Sequence, residues 1–464
     1  MAALARAALA LLVIWLLGAL VLTALGLRRR HRYLACAQLA IDFAVGAAVL
    51  ASIWPCAALL GWKVHPMLVW LLVAVLAIPA GIRFARSRPQ TGDTEHLPPA
   101  DPCTCWLGWA MLALLAVCCV AMSARAYSSP MFWDGRYIWG FKAKAMFVDG
   151  RLDRETFTNL ARYRPTHIDY PLVVPAAEAW VYQLTGAADE RRAKFVGVVY
   201  WLGIVALLAG YLRRRMALPW ALGLTLLVCQ VPVIAYHAAG GGADVPQAFY
   251  FLAAGLLLAE WIERGGREDF LMSALMFGTG TLVKAEGLSM ALGGALLLAL
   301  GWWLRWQELR RRDAVFGLAL LVLPYLPWAI LRAHWAIPSL QLTTMYYRPP
   351  LDNLDRLAAV LRFALGRVVL WSAWELVWPL VGLGLLAYLI HLRQVRSLGL
   401  MWGILAWQFV VYVAIYVLSP YNVDEHLITS YDRILLHLAP LGVAAGVTSL
   451  VSAGRRTADP ALTA

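Results

Sequence analysis

The sequence predicts an all-α protein, a polytopic bundle of transmembrane helices, and three observations carry that prediction. Of its 464 residues 62% are hydrophobic and only 14% are charged, giving a mean hydropathy of +0.67; such a chain cannot hold its apolar segments in water. The apolar residues fall in long runs, close to the ~20 residues that a helix needs to cross the hydrocarbon. Short arginine clusters separate those runs, as in the cytoplasmic connections of multi-pass proteins. The formal net charge of +13 is therefore assigned to topology, and no nucleic-acid partner is inferred from it.

Taken in order, the runs place spans near 2–26, 33–60, 66–84, 104–124, 192–212, 216–236, 243–263, 268–283, 287–304, 314–334, 368–391, 398–418 and 432–452, about thirteen crossings if the shorter ones sit where the bilayer thins. RRRHR follows the first run with no small-residue cleavage pattern, so that run is read as an anchor and not as a cleaved signal. Arg28 to Arg32, Arg83 to Arg88, Arg213 to Arg215, Arg264 with Arg267, Arg305 to Arg312, Arg393 with Arg396, and Arg455 with Arg456 occupy alternate connections. That face is expected to be cytoplasmic. Segments 125–191, 237–243, 284–286, 335–367 and 419–431 then lie outside. None of the seven cysteines falls in an outer segment, so no disulfide framework is implied, and CTC at 103–105 lacks zinc-site spacing.

The long outer connection contains MFWDGRYIWGFKAKAMF, 131–147, with Tyr137, Trp139, Phe141 and Met146 set among Lys142 and Lys144. This pattern suits a helix lying in the interface with its lysines snorkelling to water. A second helix is expected near Pro171 and Pro175, carrying AAEAWVYQL, because proline is tolerated in a first turn. The loop thus reads as two interfacial helices framing a polar segment. Asp134 precedes the first of them. It can act as an N-cap, or as a general base held in a low-dielectric cavity, with Arg136 and Lys142 beside it to bind an anionic partner.

An acid just after a transmembrane helix, at the head of a long outer loop with two juxtamembrane helices, resembles the type C glycosyltransferases. The likeness is to bacterial family-39-like enzymes, relatives of the protein O-mannosyltransferases and the lipid A aminoarabinose transferases. It covers roughly residues 104–452, leaving 1–103 as additional N-terminal transmembrane helices and 453–464 as a cytoplasmic tail. Four further clusters follow the family order. RPTHIDYPLVVP, 164–175, resembles a YPP-type lead into the second juxtamembrane helix, making His167, Asp169 and Tyr170 candidates for the acceptor side; a turn with an Asx cap is the plainer reading. AYHAAGGGADVPQAF, 235–249, puts Asp244 before a proline at a helix start, where it is either a family-type aspartate or a helix cap. TGTLVKAEGLSM, 278–290, places Lys284 and Glu286 at a re-entrant apex, and ionisable groups at such depth usually mark function. There the resemblance implies that Lys284 meets the donor phosphate; the alternative is an ion pair stabilising the bend. In SPYNVDEHLITSYDRILLHLAP, 419–440, His426 and Arg433 lie near the expected start of the last helix, and Arg433 resembles the arginine that faces a lipid phosphate, or else is a snorkelling arginine paired with Asp432. Tyr347 and Arg348, in TTMYYRPPLDN, are candidates for binding sugar or phosphate, though an aromatic belt explains the tyrosines equally well.

The resemblance implies an inverting transfer of a hexose or pentose from a polyprenyl-phosphate donor to an envelope glycan, lipid or protein hydroxyl. The reaction would take place on the outer side of the inner (plasma) membrane, with Asp134, Asp169 and Asp244 as the candidate catalytic acids. Protein O-mannosyltransferases carry paired acids in the first loop, whereas Gly135 follows Asp134 here, so a second carboxylate must come from Asp169 or Asp244. A divalent cation stays open on that account. Without a WWD-type motif, whole-glycan transfer to asparagine is not expected. A transporter or flippase of an anionic lipid-linked sugar is the rival reading, since broken helices with charged tips also describe transporters. A non-catalytic envelope-assembly subunit is the third, and it would tolerate loss of Asp134.

Overall fold

The computed structural model describes residues 2–28, 35–86, 102–304, 309–339, 353–391, 395–419 and 421–458. Every regular element among them is a helix. Nine helices are long and apolar enough to cross a membrane, and two bent pairs raise the number to eleven if each pair is one span. The chain is an all-α, multi-pass membrane protein.

The first four crossings are α1 (Ala2–Leu25), α2 (Ala35–Leu59), α3 (Pro66–Arg86) and α4 (Pro102–Ser128). Two shorter helices come next, α5 (Phe141–Asp149) and α6 (Val173–Thr185). After α7 (Phe195–Arg213), the helices α8 (Leu218–Gln230) and α9 (Pro232–Ala239) meet at 66°. They lead to α10 (Asp244–Arg264), α11 (Arg267–Gly280) and α12 (Glu286–Leu304). A second bent pair, α13 (Arg311–Val322) and α14 (Leu326–Trp335), is angled by 46°. The chain closes with α15 (Leu354–Val368), α16 (Val377–His391), α17 (Arg396–Leu418) and α18 (Val423–Ala458).

Proline explains two of the departures from the expected spans. The run 216–236 breaks at Val231, ahead of Pro232, and 314–334 breaks between Pro324 and Pro327; a proline ring removes a ladder hydrogen bond and clashes with the preceding turn. The expected crossing 368–391 is divided, and its apolar part, α16, has only 15 residues. The last helix begins at Val423 instead of 432, so Arg433 sits well inside it.

Helix α10 is the centre of the bundle. Its apolar window is wholly buried, against 11% for α3 and α4. It packs on α7, α11, α17 and α18. Hydrocarbon gives helices no hydrophobic drive to associate, so close approach of small residues does that work; Gly384 of α16 lies so near Gly446 of α18 that a Cβ on Gly384 would strike the Gly446 backbone. The N-terminal helices are part of the same body, α1 and α2 both packing on α6. There the Trp180 indole donates to the Ala10 carbonyl at 3.1 Å, and Gln183 donates to the Val64 carbonyl at 3.0 Å.

Candidate functional site

Glycines decide where the polar groups meet. Gly240 of the bend between α9 and α10 lies against the Phe132 ring, where an added Cβ would fall on the ring, and a Cβ at Gly135 would strike the Gly240 carbonyl. The segment carrying Asp134 can therefore press directly on the bend that carries Asp244. Gly287 plays the same part at the turn between α11 and α12, where its Cβ would collide with the Gly280 carbonyl. This close turn holds Lys284 beneath α10, and the Leu282 carbonyl accepts from Val173 N at 3.0 Å, tying the turn to the start of α6.

Asp244, 1% exposed, is the hub. Lys284 Nζ donates to its Oδ1 at 2.7 Å and Arg433 Nε to its Oδ2 at 3.2 Å. His437 Nε2 lies 3.2 Å from Oδ1, and His237 Nδ1 lies 3.4 Å from Oδ2. The other ring nitrogen of His437 shares a 2.7 Å hydrogen bond with the Tyr412 hydroxyl. Arg433 also forms an ion pair with Asp134, and Lys284 lies 3.3 Å from Glu286 Oε1. One arginine thus joins the two acids, Asp134 and Asp244. In a medium of low dielectric, buried charges persist only when paired and hydrogen-bonded, so this network stands or falls as a unit.

Several plainer readings of these residues are corrected. Asp134 makes no side-chain cap bond and is itself in helical conformation; its carboxylate goes to Arg433. Asp244 lies in the first turn of α10 with Ala243 at the cap, and its side chain goes to the cations. Asp432 does not pair with Arg433. It takes a two-point pair from Arg367, one arm at 3.0 Å, together with the Trp374 indole at 3.0 Å.

A second group lies alongside. Residues 135–140 form a π-helical turn before α5, and the extra residue per turn shifts the register of the helix beyond it. Lys142 consequently points inward and does not snorkel: it is 1% exposed and donates to the His167 and Tyr170 carbonyls at 2.6 and 3.1 Å. Burial pushes its ammonium down to about 7, with Asp169 opposing. Lys144 stays partly exposed and pairs with Glu190 at 2.6 Å. The Tyr170 ring stacks between Trp139 and His167, at 5.5 and 4.7 Å. Burial, and next Lys142, hold His167 below its ordinary range, while Asp169, Asp134 and Glu286 pull the other way; the two groups are within electrostatic reach. Asp169 is buried, with the Ser339 hydroxyl at 3.5 Å.

A cavity of about 580 Å3 opens beside the network, and Arg125, Asp134, His237, Asp432 and Arg433 are among its lining residues. Pro232, Val233 and Ile428 belong to the same lining and are apolar. Lys284 and Asp244 lie behind that lining, so Lys284 supports the wall through Asp244. Arg136 is turned away, 3.4 Å from Glu190. His426 lies two turns before Arg433 on α18, between the rings of Tyr416 and Tyr421. Tyr347 and Arg348 lie outside the described residues. Among the described residues, no group of three or more His, Cys, Asp or Glu side chains is placed to hold a metal ion.

Sequence reasoning passed over Arg125, His237, His437 and Tyr412. A single histidine in an apolar helix looks like core, and only the partner it finds across 193 residues of chain marks it otherwise. No protein-family model matches the chain, and no solved structure matches it significantly.

Proposed function

We propose that this protein is a membrane glycosyltransferase that moves a sugar from a polyprenyl-phosphate donor to a hydroxyl of a cell-envelope acceptor. The observation that carries this reading is the placement of Asp134 and Arg433 together in the lining of a cavity that holds both charged and apolar residues. A donor of this class is anionic at its phosphate and hydrocarbon beyond it, and its anomeric carbon lies at the membrane surface. Its phosphate competes with Asp134 for Arg433, with Arg125 as the second cation. Asp134, released, accepts the proton of the acceptor hydroxyl as that oxygen attacks the anomeric carbon. The bond between that carbon and the phosphate oxygen breaks, and the electron pair leaves with polyprenyl phosphate. Base catalysis of this kind contributes about 10²–10⁴-fold, and fixed cations at the departing charge contribute comparably or more. Lys284 holds Asp244, and Asp244 holds Arg433 in position. Trp139, His167 and Tyr170, with Lys142 and Asp169, form the acceptor side.

The site is assigned to the extracytoplasmic side of the inner (plasma) membrane, because Arg264 and Arg267 lie at the far end of the helix that Asp244 begins. A transporter or flippase is the competing reading, favoured by the 66° break between α8 and α9 at the cavity. Mass spectrometry of envelope glycans and lipids from a deletion strain tests the transfer reading. One missing sugar, restored by the wild-type chain and not by Asp134→Asn, supports transfer. Full restoration by Asp134→Asn, expressed at normal level, rejects it.

A further inference from the structure

The other end of α10 carries a concentration of charge that the proposed reaction does not use. Arg264 closes α10 twenty residues after Asp244, which at 1.5 Å per residue is about 30 Å, the thickness of the hydrocarbon. There Arg214, Arg215, Arg264 and Arg455 line a cavity of about 220 Å3, with Glu263 as the one carboxylate of its lining. Glu260 lies behind. It is 1% exposed, accepts from Arg214 on both oxygens, one at 2.9 Å, and forms an ion pair with Arg264 at 3.3 Å. Glu263 takes Arg215 at 2.7 Å. Arg455 donates to the Arg215 carbonyl at 2.8 Å. Over these six side chains, positive charge exceeds negative by two.

Helix dipoles account for only part of that excess. Arginines at the C-terminal ends of α7 and α10 complement the negative ends of those helices. Arg455, however, comes from α18 and reaches across to the chain beyond α7. Arg214 and Arg215 are only 6% and 14% exposed in their side chains, so two of the four guanidinium groups meet the cavity from largely buried positions. The wall also contains Ser452 and the apolar Leu398 and Val451, so hydrocarbon can lie beside the charges. Planar guanidinium forks match phosphate oxygens, and basic pockets between membrane helices suit anionic headgroups.

We infer that this cavity binds a phosphoryl group, carried either by an anionic phospholipid headgroup or by a soluble phosphate. The site is independent of the transfer reading and lies on the opposite membrane face. The test uses the full chain, purified in detergent and stripped of lipid. Phosphatidylglycerol, phosphatidylcholine of the same acyl chains, and inorganic phosphate are titrated separately, reading thermal stability and, by native mass spectrometry, bound lipid. Phosphatidylglycerol is expected to bind at least tenfold more tightly than phosphatidylcholine. Protection by inorganic phosphate without that lipid preference assigns the site to a soluble anion instead. The double variant Arg264→Gln/Arg455→Gln is expected to lose most of the preference. A folded double variant that keeps the full preference overturns the location, and an unmodified protein that responds to neither phosphatidylglycerol nor phosphate overturns the site itself. The unmodified protein decides that second point even if the double variant does not fold.

Discussion

The two ends of α10 hold charge in opposite ways. At the Asp244 end, Asp134, Asp244 and Glu286 interlock with Lys284 and Arg433, and two histidines close the edge. At the Arg264 end, the arginines outnumber the two glutamates that hold them. The first arrangement is nearly balanced around one buried carboxylate, so each member's position depends on the others. The second lines a cavity with four arginines. A balanced network positions groups for chemistry, whereas an unbalanced one recruits a ligand of the missing sign.

Removing the hub should break the first arrangement most severely. Asp244→Ala takes from Lys284 and Arg433 the buried carboxylate they share, leaving Lys284 to Glu286 and Arg433 to Asp134, a loss of about 3–5 kcal/mol, measurable by denaturant unfolding in detergent. Adding Lys284→Met should recover part of it, because one of the two cations is then gone. A double variant as unstable as the single one would show that the two side chains do not act as a pair. A smaller loss, about 1–3 kcal/mol, is expected from Gly240→Ala, which overpacks the Phe132 ring. Sugar transfer should fall with it, since the same contact seats Asp134; unchanged stability would mean that the bend yields freely.

The last effect is a slope. The Lys142 ammonium is lowered by burial to about 7 from 10.5, so between these values the unfolded chain binds more protons than the folded one. Stability then rises with pH across that window, by at most about 1.4 kcal/mol per pH unit. Lys142→Met should lose this rise between pH 7 and 9, and an identical slope in the two proteins would place Lys142 in water.

Much of this is readable from the chain. Ionisable residues are rare in apolar runs, and for that reason Asp134, Asp244, Lys284 and Arg433 stand out in the sequence itself. Most spans are readable from length and hydropathy; the exceptions are the bends at Val231 and between Pro324 and Pro327, the short helices α11 and α16, and the earlier start of α18. Partner choice is not. Asp432 and Arg433 look like a pair on paper, but neighbours along a helix point about 100° apart and do not face each other; one reaches Arg367 and the other Asp134 and Asp244. The π-turn at 135–140 is equally hidden, and it turns Lys142 from a surface lysine into a buried one. His437 finds Asp244 only through the packing of α18 on α10, which no local pattern records.

The most direct measurement is turnover by the purified chain. Wild-type and Asp134→Asn proteins in nanodiscs are given a synthetic polyprenyl-phosphate sugar and an envelope acceptor fraction, and release of polyprenyl phosphate is followed by mass spectrometry. The account predicts release by the wild type and at least a roughly 100-fold slower rate for the variant at unchanged thermal stability. Equal rates in the two proteins would contradict it.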